Sequence, residues 1–139
     1  MEQEWMPFII SIKTALTATM ITFFLGIFAA NKINKINPKH KGILDSLFTL
    51  PMVLPPTVIG FFLLVILGRN GFIGKLLYSI GINVIFSWGA TVIAAVVVSF
   101  PLMYSTAKGA FEQIDKNILN AAQTMGVSNF KIFWKIMIP

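Results

Sequence analysis

Residues 43–67 read ILDSLFTLPMVLPPTVIGFFLLVIL, a run of 25 positions whose one charge, Asp45, lies near its start. A helix needs about 20 apolar residues to cross a hydrocarbon core, so the run is long enough to do so. It also holds Pro51, Pro55 and Pro56. Each proline removes a backbone donor and crowds the carbonyl four residues back. An orphaned backbone group in lipid costs several kcal/mol, so this backbone persists only against other helices or beside a wet cavity. One reading is a kinked packing helix. The other is a broken helix lining a solute path, with Pro51, Pro55, Pro56 and the hydroxyl of Thr57 at the break.

Two more apolar runs flank this one. Residues 7–30 carry the single charge Lys13, and residues 86–107 carry none. The third run repeats the proline feature at Ser99-Phe100-Pro101, so Ser99 and Pro101 join the candidates for a solute path. The expected architecture is all-α: a polytopic membrane protein in one domain over 1–139. It has three transmembrane helices at about 7–30, 43–67 and 86–107, and a cytoplasmic segment over 108–139. The acidic leader MEQEW and the length of the first run argue against a signal peptide.

Composition excludes other classes. The 139 residues are 56% hydrophobic and 12% charged, against about 45–50% and about 25% in soluble domains. So few charges cannot cover a water-soluble enzyme. The absence of cysteine removes thiolate metal sites and cysteine nucleophiles, and one histidine builds no metal cluster. No acid pairs with a base in a catalytic pattern, and His40 lies in a lysine-rich turn. The net charge of +6 is divided among the connecting segments rather than gathered on one face, which argues against nucleic acid.

Residues 31–42 hold Lys32, Lys35, Lys39 and Lys41, and residues 108–139 hold Lys108, Lys116, Lys131 and Lys135. The leader has no Lys or Arg, and 68–85 has only Arg69 and Lys75. Cytoplasmic segments are enriched in Lys and Arg. The expected topology is therefore N-terminus outside, 31–42 inside, 68–85 outside and the C-terminal segment in the cytoplasm. The sequence GRNGFIG at 68–74 fails as a nucleotide loop, because Lys75 is followed by Leu76 rather than Ser or Thr. It reads as a turn-rich external loop with Asn70-Gly71 at the turn. Arg69 reads as an interfacial anchor or as a charge drawing anions to the mouth. Lys13 reads as a snorkelling side chain or an attractor for an anionic solute. Asp45 reads as an acid at a helix start.

The C-terminal segment is patterned differently. Phe111, Ile114, Ile118, Ala121, Ala122 and Met125 recur at three- and four-residue steps, which predicts one helix with a greasy face. Gly126 falls at its C-cap position, and Ser128 can cap a second short helix carrying Phe130, Phe133, Trp134 and Ile136. A helix–glycine turn–helix of this kind fits either an amphipathic pair lying on lipid or a docking knuckle for a cytosolic partner.

Asn120-Ala121-Ala122, Gly126 and Ile136-Met137-Ile138-Pro139 resemble the cytoplasmic loop signature of bacterial ABC importer permeases: E-A-A, three residues, G, nine residues, I-x-L-P. Asn120 replaces the Glu and Ile138 the Leu. Residues 50–74, FSWGATVIAAVVVSFPLM at 86–103 and SIKTALTATMITFFLGIFAA at 11–30 are similar to the molybdate and tungstate permeases of that class, with sulfate permeases nearest. The resemblance implies a partial type I permease fold in a dimer in the bacterial plasma membrane. The segment 120–139, with Asn120, Ala121, Ala122, Gly126, Ile136 and Pro139, would be the coupling element against an ATPase. It implies that this chain does no covalent chemistry and has no cofactor of its own, ATP and magnesium being bound by the ATPase. An extracytoplasmic binding protein would deliver molybdate. Family members continue into further membrane helices, so the chain reads as the N-terminal part of such a permease. Competing expectations are a permease for sulfate or another oxyanion, and a non-transporting membrane scaffold. The topology is checked by Ser79→Cys, the only thiol in that variant: impermeant thiol reagents are expected to label it in intact cells. Labelling by permeant reagents alone would invert the orientation.

Overall fold

The computed structural model describes residues 2–138, which contain helices and no strand. Helix α1 spans Glu2–Asn34 and α5 spans Trp88–Glu112. At about 1.5 Å per residue they are roughly 50 and 38 Å long, each long enough to cross a bilayer core of about 30 Å. Between them lie α2 (Pro38–Val53), α3 (Pro56–Leu67) and α4 (Phe72–Ser79). Helices α6 (Lys116–Thr124) and α7 (Asn129–Ile132) follow, and α7 runs into a π-helical turn over Phe133–Met137.

The fold is organised by the pairing of α1 with α5. Thr14, Ala18, Thr22, Gly26 and Ala30 are all buried and lie four apart, so they form one small-residue row along α1. Small residues let backbones approach closely where lipid gives no hydrophobic drive to associate. The Nε1–H of Trp88 donates to Thr14 Oγ1 at 2.9 Å. Further along, Ser99 donates to the Ala95 carbonyl at 2.7 Å, and Thr22 donates to Ser99 at 3.0 Å. A Cβ on Gly26 would lie 2.6 Å from Met103 Cγ. Beyond it Ala30 and Ile33 join Tyr104, Ala107 and Phe111 in the buried core, which Phe133 closes. Partner numbers rise together on both helices, so α1 and α5 run parallel, with their lysine-rich ends on the same side.

Two parallel helices require the chain to travel back between them. Helices α2 and α3 make that return. Lys41, in the first turn of α2, meets Glu112 at the last residue of α5. Gly60 and Leu64 of α3 line a cavity with Lys13 and Trp88 at the opposite end. The return is not one straight helix: α2 and α3 are bent by 110°. The physical cause is the Pro55-Pro56 pair. A residue before proline is pushed out of the α region, and Leu54 (ψ 141°) and Pro55 (ψ 142°) are both extended. At about 24 and 18 Å, neither half spans a core alone. The expected single span over 43–67 is thus two short helices at an elbow, with Pro51 tolerated inside α2.

Other expectations are corrected. Residues 31–42 are mostly helix, since α1 runs to Asn34 and α2 starts at Pro38, with Asn37 before it. The third helix begins at Trp88, where the Ser87 hydroxyl accepts from the Ala90 amide, and extends to Glu112. The segment 68–85, expected as a turn-rich loop, contains α4. A Cβ on Gly71 or Gly74 would run into carbonyl oxygens at the end of α3, so these glycines serve close packing of α4 on α3. Asp45 lies in the middle of α2, not at its start. The greasy stripe from Phe111 to Met125 belongs to two helices: α5 ends at Glu112, and Asp115 caps α6 by accepting from the Asn117 amide at 2.8 Å.

The accessible surface is 10379 Å². A compact soluble monomer of 15.4 kDa would expose about 7,200 Å² by size scaling. The excess is apolar and lies outside the α1–α5 contact: Trp5, Phe8, Leu16, Phe24 and Phe28 of α1 all face outward. Gly26→Leu is expected to destabilise the α1–α5 pair by about 1–3 kcal/mol through overpacking, whereas Phe24→Leu on the outward face is expected to change little. Denaturant titration of the protein in mixed detergent micelles checks both.

Candidate functional site

The segment after α5 forms a projecting helical hairpin. None of the residues of α6 is buried. Asn120 and Ala121 are exposed, Ala122 is half-buried, and Ile118 and Met125 present apolar side chains to the outside. The turn that ends α6 satisfies its last carbonyls in pairs. The Val127 amide donates to the Ala122 carbonyl at 3.1 Å and the Gly126 amide to the Gln123 carbonyl at 3.0 Å. That pattern needs a left-handed residue after the helix, and Gly126 supplies it at φ 77°. Ser128 then caps α7, its hydroxyl accepting from the Lys131 amide. Ile132 and Phe133 anchor the far arm, with Phe133 stacked on Phe28 of α1 at 6.2 Å. Ile136 lies in the π-helical turn, half-buried. Pro139, the last residue of the loop signature, lies outside the described residues. The hairpin is therefore fixed along α7 and presented along α6.

The six candidates for a solute path fall into two groups. Pro51, Pro55, Pro56 and Thr57 make the elbow, and the last three are exposed. Ser99 faces α1 instead, and Pro101 lies within α5. The Ser99 hydroxyl is engaged by Thr22 and the Ala95 carbonyl, and Pro101 is fully buried. Lys13 lies over the Trp88 ring at 4.7 Å and lines a cavity of about 850 Å³ between α1, α3 and the start of α5. Apart from Lys13, Ser87 and Thr91, its walls are almost wholly apolar, so it offers little to a hydrated ion. Arg69 lies over the Tyr78 ring at 5.3 Å.

One cluster has no counterpart in the sequence expectations. Asp45 accepts from the Tyr104 hydroxyl on one carboxylate oxygen and from the Lys108 ammonium on the other. Lys41 meets Glu112 at 3.0 Å, and Lys108 approaches the same Glu112 at 3.9 Å. The cluster joins α2 to α5 at their lysine-rich end. The available signal is spacing: Lys41 and Asp45 are four apart, and so are Tyr104, Lys108 and Glu112, so each set shares one helix face. Which faces meet is decided by pairings across 59 to 71 residues.

Comparison with known proteins agrees with this architecture. Residues 22–139 match the family described as binding-protein-dependent transport system inner membrane component. The chain is 40% identical over 139 aligned residues to the molybdenum transport system permease protein ModB of Escherichia coli K12, covering 99% of this chain and 61% of that protein. It is 42% identical over 134 residues to the putative molybdenum transport system permease protein YvgM of Bacillus subtilis, covering 96% of this chain and 59% of that protein. A probable sulfate transport system permease protein, cysT of Chlorokybus atmophyticus, is 34% identical over 132 residues and is covered to 46%. The chain thus spans about three-fifths of the length of the molybdenum permeases it matches. With its apolar helices and the match running through the elbow, α5 and the projecting hairpin, the chain belongs to the inner membrane component family of binding-protein-dependent transport systems.

Proposed function

We propose that this chain is the membrane part of an importer for molybdate or tungstate, driven by ATP hydrolysed on a separate subunit. The observation that carries the reading is α6. It is a nine-residue helix with an exposed apolar face, rigidly capped at both ends and held clear of the bundle. Lipid alone would accept such a face, but a carved glycine turn and a fixed second arm are what docking into a shaped groove requires. Asn120, Ala121, Ala122 and Gly126 form the docking edge, and Ile136 and Pro139 close the segment. The permeases named for molybdenum transport point to the substrate class.

A dianion cannot enter hydrocarbon, because an unpaired buried charge costs tens of kcal/mol. The elbow offers a physical alternative. In a straight helix the partial charges of successive turns cancel along the axis. A bend of 110° leaves the N-terminal end of α3, with the Thr57 amide and hydroxyl, pointing where α2 does not oppose it. Half-helix N-termini favour anions. Pro51, Pro55, Pro56 and Thr57 therefore line the path, facing a second copy of the permease. Ser99 serves it indirectly by fixing α5 on α1 through Thr22, and Pro101 by its buried place within α5. Alternating access by rocking of such bundles needs no covalent step in this chain. The partners are a second permease subunit, a pair of ABC ATPase subunits holding ATP and magnesium, an extracytoplasmic molybdate-binding protein and membrane lipid. The parallel pairing of α1 and α5 supports the charge-based topology, since it gathers both lysine-rich segments and α6 at one end, assigned to the cytoplasm.

Uptake of radiolabelled molybdate by permease-null cells tests this reading, using the permease that carries this chain. Ala122→Arg and Gly126→Pro are each expected to leave the protein in the membrane, to remove most of the co-purifying ATPase and to cut uptake at least about tenfold, the loss of a contact worth roughly 1.4 kcal/mol or more. Unchanged ATPase association in both variants would overturn the coupling role of α6. Uptake of sulfate in preference to molybdate would move the substrate to that of the sulfate relative.

A further inference from the structure

The charged cluster between α2 and α5 lies between the proposed docking helix and the proposed solute path. Helix α2 has no buried residue along its 16 positions. Its apolar packing is confined to the half-buried Leu44 and Phe48, which lie against the core. Two sets of contacts hold it to α5. One is Phe48, edge-on to Phe100 at 5.5 Å and to Tyr104 at 5.3 Å. The other is the set of polar contacts that Lys41 and Asp45 make with Tyr104, Lys108 and Glu112.

The same residues stand next to the hairpin. Glu112 ends α5, and Asp115, three residues on, caps α6. In between, the Ile114 amide donates back to the Phe111 carbonyl at 3.3 Å, which keeps the link short and turned. On the other side of α6 a cavity of about 580 Å³, bordered by Asn34, Lys35, Asn120 and Gln123, separates it from the ends of α1 and α2. Force applied to α6 therefore enters the bundle by two routes, through α7, whose following residue Phe133 is seated in the core, and through the last turn of α5. There it meets the carboxylate of Glu112 gripping Lys41, and one and two turns earlier Lys108 and Tyr104 gripping Asp45.

We propose that Lys41, Asp45, Tyr104, Lys108 and Glu112 act as a latch that makes α2 turn with α5 and α6, so that motion of the docking helix is delivered at the proline elbow, roughly 14–20 Å along α2 from the latch. These are positioning residues, and the proposal rests on the importer reading above. Polar contacts suit the task better than apolar packing. They are directional, they couple neighbouring charges in one network, and at the water-facing end of the helices they can be remade after a stroke. The charges alternate on each helix, Lys41 and Asp45 on α2 against Lys108 and Glu112 on α5. The pairing is therefore satisfied in one register only.

The test has two readouts on the permease that carries this chain. Spin labels at Leu47→Cys on α2 and Thr124→Cys on α6 report the latch without any ATPase, and labels at Leu16→Cys and Val98→Cys report the α1–α5 pair as a folding control. Asp45→Asn and Lys41→Glu are expected to broaden the first distance distribution and leave the second unchanged. The fourfold exchange of Lys41→Glu and Asp45→Lys with Lys108→Asp and Glu112→Lys keeps both cross-helix attractions and the alternation along each helix, and is expected to restore the parent distribution even if Asp45→Asn proves poorly folded. In proteoliposomes with the ATPase, the single variants are expected to raise ATP hydrolysed per molybdate transported about fivefold, within the range that coupling residues command, and the exchange to reverse it. An unchanged Leu47–Thr124 distribution in both single variants, or failure of the exchange to restore it, would overturn the latch. A parent protein that engages no ATPase would instead overturn the importer reading, a result the distance measurement cannot produce.

Discussion

Close approach of α5 to one row of small residues on α1 sets the rest of the structure. Lipid tails are as apolar as leucine, so two greasy helices gain little by burying greasy surface against each other. They gain by fitting. Thr14, Ala18, Thr22, Gly26 and Ala30 remove side-chain bulk at every fourth position, and two of these positions add a hydroxyl that bonds across the interface. Such bonds average about 0.6 kcal/mol each in membranes, so they orient more than they stabilise. The orientation they give is parallel. A parallel pair forces the intervening chain to cross back, and this crossing has to be made by a segment that two consecutive prolines have already broken. The elbow is therefore the consequence of a packing rule and a backbone rule acting on the same stretch.

The elbow shows why a membrane protein would place prolines there. A continuous helix carries its polar groups fully satisfied and presents lipid with nothing else. Breaking it at Leu54 and Pro55 exposes unpaired backbone, which lipid will not accept. The break is stable only where protein or water meets it. The exposed faces of Pro55, Pro56 and Thr57 therefore call for water or neighbouring protein at the elbow rather than lipid.

How much of this was legible beforehand depends on whether the signal was local. Apolar length gave α1 and α5, because an apolar run of more than 20 residues with at most one charge has few other solutions. The prolines gave the break, and Gly126 and Ser128 gave the hairpin turn, because backbone chemistry acts over three or four residues. The site residues were legible as a pattern at 120–126 and only partly as a place: Ser99 has a polar group in an apolar run, which marks it as special, but the sequence did not say that Thr22 would claim it. The division at 113–115 was hidden for a subtler reason. Phe111, Ile114 and Ile118 keep helical spacing straight through the break, so periodicity carried no trace of it, and only Asp115 as a cap betrays the restart. Helix α4 was missed because glycines at 68, 71 and 74 look like loop chemistry, when their use is to let two short helices touch. The Asp45–Lys108 pairing joins residues 63 apart and was invisible until the faces of α2 and α5 were known.

The positions of the charges complete the physical picture. Among the described residues, both helices that are long enough to span on their own keep nearly all their ionised side chains near their ends. The one acid within the second apolar run, Asp45, accepts two hydrogen bonds rather than facing lipid. Even at the water-facing end of a membrane helix a partly buried ionised group is costly unless paired, so an apolar residue at this position would cost less stability. What apolar packing supplies only weakly is registration: Leu44 and Phe48 are half-buried and non-directional in their contacts, whereas a carboxylate held by a hydroxyl and an ammonium on one face of α5 has one seat. The cost of keeping Asp45 is thus the cost of giving α2 a defined angle, and the elbow at its far end inherits that angle.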